Sequence, residues 1–381
     1  MRNYQDIGIG RQARRSYYLS QIGIVPKRRT RSSADVDTSW HIDAYSFEIP
    51  LLSHPTDALA SPEFVMEMSR LGGLAVINAE GIWGRHEDLD AAYEEIISSG
   101  QRSQRLATKT LQRLHAAPLQ TELLSERIQK VRDSGATVAV RVSPQNAREL
   151  APTVIAAGAE ILFIQGTVIS AEHVSREGES LNLKEFIGSL DIPVVAGGVT
   201  DYTTALHLMR SGAAGVIVGG GENTNEFAMG ITAGMATSIV DVAAARRDYL
   251  DETGGRYVHI IADGEIEGSG HIARAIACGA DAVMAGSLLA DAAEAPAKCW
   301  FWPSAAAHPR FPRGALESSF RRSLFEEGLE ERPSLEAVLY GPSTDVEGRE
   351  NIIGGLRRAM AKCGYTDLKR FQKAELNITS W

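Results

Sequence analysis

"IPVVAGGVTDYTTALHLMRSGAAGVIVG", Ile192 to Gly219, places two continuous apolar runs on either side of an amphipathic stretch. A strand with one wet face alternates polar and apolar residues; a run without alternation reads as a strand covered on both sides. Asp201 stands where a helix needs a side-chain cap, and the stretch ends in Ser211-Gly212, a helix stop. The segment is a strand-helix-strand unit, and two strands joined through a helix lie parallel.

Working outward, the same alternation recurs along the chain. The other runs are "EIPLLS" from Glu48, "GLAVIN" from Gly73, "TVAVRV" from Thr137, "EILFIQ" from Glu160, "YVHIIA" from Tyr257 and "DAVMAG" from Asp281. With the two above they make eight, a count that favours a closed (β/α)8 TIM barrel over an open sheet. "SPEFVMEMSRLGG" carries Ser61 as cap, Pro62 in the first turn and a glycine stop. Residues 98–124 form an extra polar helical excursion between the second and third strands. The expected division is a single domain with an N-terminal arm over about 1–47, a barrel over about 48–299 and a tail over about 300–381, folded back on the barrel.

The chain has 381 residues, 44% of them hydrophobic, and a formal charge of -9. That balance argues against nucleic acid or an anionic membrane as partner, since both reward clustered Lys and Arg. The basic run "KRRTRSS" from Lys27 reads as a solvated segment. No stretch of about 18 apolar residues is present, and the N-terminus lacks the apolar core of a signal peptide, so a cytoplasmic location is expected. Cys278, Cys299 and Cys363 form no CxxC pair, which fits a reducing compartment without disulfides or bound metal.

In such barrels chemistry sits at the carboxyl ends of the strands. Asp263, ending the seventh run, suits both hydroxyls of a ribose diol, because one carboxylate spans two vicinal donors. Gly286 and Ser287 follow the eighth run, where N–H groups at a helix start suit a phosphate. The plainer readings are Ser269 and Ser287 as helix caps and Asp263 as a turn former.

"DGEIEGSGHIARAIACGADAVMAGSLLA" from Asp263 resembles the nucleotide-binding segment of the IMP dehydrogenase/GMP reductase family. "IPLLSHPTDALASPEFVMEMSRLGGLAVIN" from Ile49, the opening segment and "VEGRENIIGGLRRAMAKCGYTDL" from Val346 extend the resemblance over nearly the whole chain. Family members of normal length carry a paired CBS module after the second strand; the interval here is too short for one. The resemblance implies a purine nucleoside monophosphate bound through His54, Thr56, Gly219, Gly220, Gly221, Asp263, Gly264, Gly286 and Ser287, with NAD(P) near Gln165 and Gly166, in a homotetramer.

In active relatives a cysteine in the loop after strand six attacks the purine ring. The corresponding stretch, "GGGENTNEFAMGI", has none, and Glu226 stands nearest to its place. The family's aspartate ending strand four is Gln165, the asparagine after the strand-five glycines is Val199, and the second glycine of "DGG" is Glu265. "FWPSAAAHPRFPRGALESSF" shows no counterpart to the Arg-Tyr flap of the dehydrogenases, a pair that reductases also lack. His54 is either a proton shuttle or a satisfied strand-end histidine. Cys278 reads as a small buried hydrophobe. Trp300, Trp302 and His308 either cover the pocket mouth or pack the tail. Three functions stay open: an NAD(P)-linked oxidoreductase working without the cysteine, an inactive nucleotide-binding regulator, and an FMN-dependent oxidoreductase.

Overall fold

The computed structural model describes residues 4–166, 169, 181–220 and 224–379, the side chains of 224 and 225 excepted. Eight parallel strands close into a barrel: β1 (Leu51–Ser53), β2 (Leu74–Asn78), β3 (Ala139–Val142), β4 (Ile161–Gln165), β5 (Val194–Val199), β6 (Gly215–Gly219), β7 (His259–Asp263) and β8 (Ala282–Ala285). All eight are buried along their length, which is why their sequences run apolar without alternation. The barrel closes where Val283 of β8 pairs with Leu51 of β1.

Helices cover the barrel, beginning with α1 (Pro62–Arg70), where Ser61 Oγ accepts from Phe64 N at 3.2 Å. Between β2 and β3 lie α2 (Leu89–Arg102), α3 (Gln104–His115) and α4 (Thr121–Asp133), with no inserted module. There follow α5 (Ala147–Ala157), α6 (Leu183–Gly188) and α7 (Tyr202–Arg210), the last capped by Asp201, whose Oδ1 accepts from Thr204 N at 2.9 Å. The strand-six loop carries α8 (Thr224–Met229), and the long α9 (Met235–Thr253) and α10 (Ser269–Cys278) complete the wall.

The C-terminal residues return to the barrel. Phe301 pairs with Glu317 in a short antiparallel ladder, and α11 (Arg322–Glu326), α12 (Leu335–Tyr340), α13 (Ile352–Lys362) and α14 (Leu368–Phe371) follow. The amino-terminal end of the barrel is tied to this segment by one buried carboxylate. Asp281 accepts from Arg246 at 2.7 Å, Lys369 at 2.5 Å, Tyr257 at 2.7 Å and the Ile260 N–H at 2.8 Å. Arg246 and Lys369 beside it lower the Asp281 pKa to about 2 despite its burial. Among the described residues, no helix is long and apolar enough to cross a membrane.

Candidate functional site

Asp263 is the last residue of β7 and only 3% exposed, at the carboxyl end of the barrel. His54 Nδ1 lies 3.2 Å from its Oδ1, and Gln165 Nε2 donates to its Oδ2 at 2.6 Å. The ends of β1, β4 and β7 thus meet on one carboxylate. Each partner is held in turn. The His54 N–H donates to the Ala285 carbonyl at 2.7 Å, and the Gln165 carbonyl accepts from Arg141 Nε at 3.1 Å and Nη2 at 2.7 Å. A carboxylate oxygen has two acceptor directions. Among the described residues one is used on each oxygen of Asp263, and one on each is left. Gln165 Oε1 is buried with no partner among the described residues, so the group presents acceptors that lack donors.

Gly219 is the register partner of Asp263 on β6, and Gly220 follows it; Gly221 lies outside the described residues. Glu226, the residue nearest the family's cysteine position, is exposed on α8. Gly264 leaves β7 with φ +150°. After β8 the chain forms a three-residue 3-10 turn, Ser287–Leu289, where an α-helix start was expected. The turn cannot lengthen because the tail holds the next residues: Cys299 N donates to Ala290 O at 3.0 Å and Ala293 N to Pro333 O at 2.8 Å. Ser287 borders a cavity of about 320 Å³ that Glu267, Asp291, Glu317, Arg321 and Arg349 also line. Arg321 is committed to Glu350 at 2.5 Å and Glu330 at 2.8 Å, and Arg349 pairs with Glu347 at 2.8 Å.

Thr56 and Glu265 of the sequence reading are also held by the protein itself. The Thr56 hydroxyl donates to the Trp302 carbonyl, anchoring the tail at the mouth of β1. Beside it Phe301 meets the His54 ring edge-on at 6.1 Å, and a Cβ on Gly286 would lie 2.7 Å from the Phe301 ring. Glu265 takes φ +57° and bridges the arm to α9. Its carboxylate accepts from Leu19 N at 2.6 Å and Met235 N at 3.1 Å, while burial raises its pKa. Val199, at the end of β5, is buried at 2% exposure.

A second cavity, of about 450 Å³, opens beside the ends of β2, β3 and β4 and includes Gly166 in its wall. Its charged lining is Arg85, Arg141, Arg313 and Glu80, with His115 and His308. None of the three arginines stands out in a motif. Arg141 nevertheless had a visible signal, a charge inside the otherwise apolar "TVAVRV".

The cysteines lie away from the strand-six loop. Cys278 ends α10 and Cys299 precedes the tail ladder, both buried, and burial pushes each thiol up to about 12. Cys363 follows α13 and is also raised by burial. Thiols so protonated are poor nucleophiles at neutral pH. Among the described residues no group of three His, Cys, Asp or Glu is placed to hold a metal ion.

Residues 17–380 match the family model of the IMP dehydrogenase / GMP reductase domain. Oxidoreductases without assigned substrates from Mycolicibacterium smegmatis and Mycobacterium tuberculosis are each 58% identical to the chain, covering 98% of it and, respectively, 100% and 99% of their own length. The inosine-5'-monophosphate dehydrogenase of Methanocaldococcus jannaschii is 33% identical over half of this chain and 40% of its own. Among solved structures, an IMP dehydrogenase/GMP reductase-like protein from Corynebacterium glutamicum superposes with a TM-score of 0.93 at 65% identity, covering 98% of this chain and 97% of that one. The continuous match over barrel and tail shows that this chain belongs to the IMP dehydrogenase/GMP reductase family of oxidoreductases.

Proposed function

We propose that the protein binds a purine nucleoside monophosphate at the carboxyl end of the barrel and acts on it, together with NAD(P), without forming a covalent bond to the purine. The observation that carries this reading is the acceptor cluster of Asp263 and Gln165. Two carboxylate oxygens with a direction each left open by the described residues, beside a buried amide oxygen that none of them reaches, select a ligand that brings donors, and a ribose diol brings two side by side. The Gly286 and Ser287 N–H groups receive the phosphate, and Gly219 and Gly220 let the strand-six turn approach it.

The family implies a nicotinamide cofactor, and the residues at the end of β4 fit one. Among the described residues Gln165 Oε1 lacks a donor, which a nicotinamide-ribose hydroxyl would supply, and Gly166 leaves the adjoining cavity wall without a side chain. When bound, the nicotinamide supplies a hydride acceptor or donor. The chain's own part is to orient the nucleotide on Asp263 and to keep His54 within proton-transfer range of that carboxylate. A homotetramer belongs to the same proposal, and a monomer mass by light scattering at micromolar concentration contradicts it.

The test is calorimetric titration of IMP and GMP into the wild type and Asp263→Ala. Loss of two charge-assisted contacts weakens binding by about a hundredfold. Equal affinity in a folded Asp263→Ala overturns the reading, as does a yellow protein that copurifies with flavin.

A further inference from the structure

The long helix α9 starts at Met235 behind Gly234, which has no side chain with which to cap it. The first N–H groups of a helix have no partner within it and must find one elsewhere. Here they are met by groups distant in sequence. Gly234 N donates to Ser16 Oγ at 3.3 Å, Met235 N to Glu265 Oε1 at 3.1 Å and Thr237 N to the Tyr17 carbonyl at 3.3 Å. Tyr17 N returns a bond to Thr237 Oγ1 at 2.8 Å, and Arg14 Nη2 donates to Asp241 Oδ1 at 2.9 Å one turn further along α9. A Cβ on Gly234 would lie 2.2 Å from the Tyr17 carbonyl oxygen, so the missing side chain is what lets the N-terminal arm come this close.

Glu265 is the member of this set that adjoins the site around Asp263. It follows Asp263 by two residues, and its Oε2 accepts at 2.6 Å from the N–H of Leu19, an arm residue that is fully buried. Its φ of +57° is one that a glycine takes freely and that a side chain holds only where its surroundings demand it. Two N–H groups on one carboxylate supply that demand. Met235 is 4% exposed, and a Cβ on Gly219 would lie 2.9 Å from its Sδ. The contacts form a ring, from Asp263 along the chain to Glu265, across to Met235, onto Gly219 and back to the Asp263 carbonyl.

We propose that Glu265 is a positioning residue of the nucleotide site, and that through it the N-terminal arm fixes the strand-six turn at Gly219. The inference rests on the reading of a nucleoside monophosphate bound at Asp263 and Gly219. Glu265 does not touch that ligand, since both of its oxygens face the backbone N–H groups of Leu19 and Met235. Removing the carboxylate leaves the first turn of α9 short of an acceptor and releases Leu19, so Met235 and with it Gly219 lose a fixed position. Contacts that depend on backbone placement weaken when that placement spreads over several conformations.

Calorimetric titration of IMP into the wild type, Glu265→Gly and Glu265→Gln, with amide hydrogen exchange on the free proteins, tests this. Glu265→Gly weakens IMP binding about threefold to thirtyfold and speeds exchange at Met235 to Thr237. Glu265→Gln keeps a carbonyl oxygen for one of the two N–H groups and recovers part of both effects. If Glu265→Gly does not fold, Glu265→Gln carries the test alone, with IMP affinity below that of the wild type. Faster exchange at α9 with IMP affinity at the wild-type value in both variants makes Glu265 a structural residue only and overturns the proposal. Weaker IMP binding with exchange unchanged also overturns it, because Glu265 then acts on the ligand directly. IMP binding that Asp263→Ala abolishes and the Glu265 variants leave intact overturns this inference alone; a wild type that binds no IMP overturns the reading beneath it as well.

Discussion

Gly219 and Asp263 face each other in register across β6 and β7, and a Cβ on Gly219 would come within 2.2 Å of the Asp263 carbonyl oxygen. The position also takes φ +95°, where L side chains are strained. The turn into the strand-six loop and the placement of Asp263 are one constraint.

Gly219→Ala therefore costs about 1–3 kcal/mol of stability and shifts Asp263. Urea unfolding and IMP titration are the measurements. Wild-type values in both show that the strands separate without consequence for the site.

Gln165→Glu replaces the amide that donates to Asp263 with a second carboxylate at the same distance. Two buried carboxylates so placed share a proton, so the folded pair titrates above the ordinary carboxylate range. Over that window the native state holds more protons than the unfolded state, and stability falls as pH rises. Melting temperatures of Gln165→Glu relative to wild type decline from pH 5 to pH 8; a constant difference contradicts the contact.

Acid stability is set at the opposite end of the barrel. Burial lowers the His259 pKa to about 4, and the partners of Asp281 hold it near 2. Both folded values are below the unfolded ones, so the unfolded state binds more protons and stability falls as pH falls. His259 governs the window from about 6.5 to 4 and Asp281 that below about 4. Asp281→Ala, which leaves Arg246 and Lys369 facing an uncharged site, costs about 3–5 kcal/mol. Chemical denaturation across pH 7 to 2 measures each; a flat profile to pH 4 is inconsistent with the His259 shift.

Incubation with a 6-halogenated purine monophosphate leaves the intact mass unchanged, because the strand-six loop has no thiol and the three cysteines are buried and protonated. A stoichiometric adduct mapped to that loop identifies a nucleophile among its residues and refutes the non-covalent reading.

The fold was legible in the sequence because its signals are local. An apolar run without alternation, a capping Ser61 or Asp201 and a glycine stop each act within a few residues, and eight such repeats fit one closed topology. The missing loop cysteine was equally plain, since its absence from the stretch after the sixth run needs no coordinates. The partners were not legible. His54, Gln165 and Asp263 are up to 209 positions apart and meet only when the barrel closes, and sequence offers no clue that Gln165 gives its amide to Asp263 and leaves its oxygen orphaned. Thr56 reads as a ligand contact until the returning tail offers it the Trp302 carbonyl. Arg313 stands out in no motif, and only the returning tail carries it to the wall of a cavity beside the ends of β2, β3 and β4. Secondary structure follows from neighbours in the chain; which donors and acceptors remain unsatisfied follows from neighbours in space, and only tertiary packing fixes those.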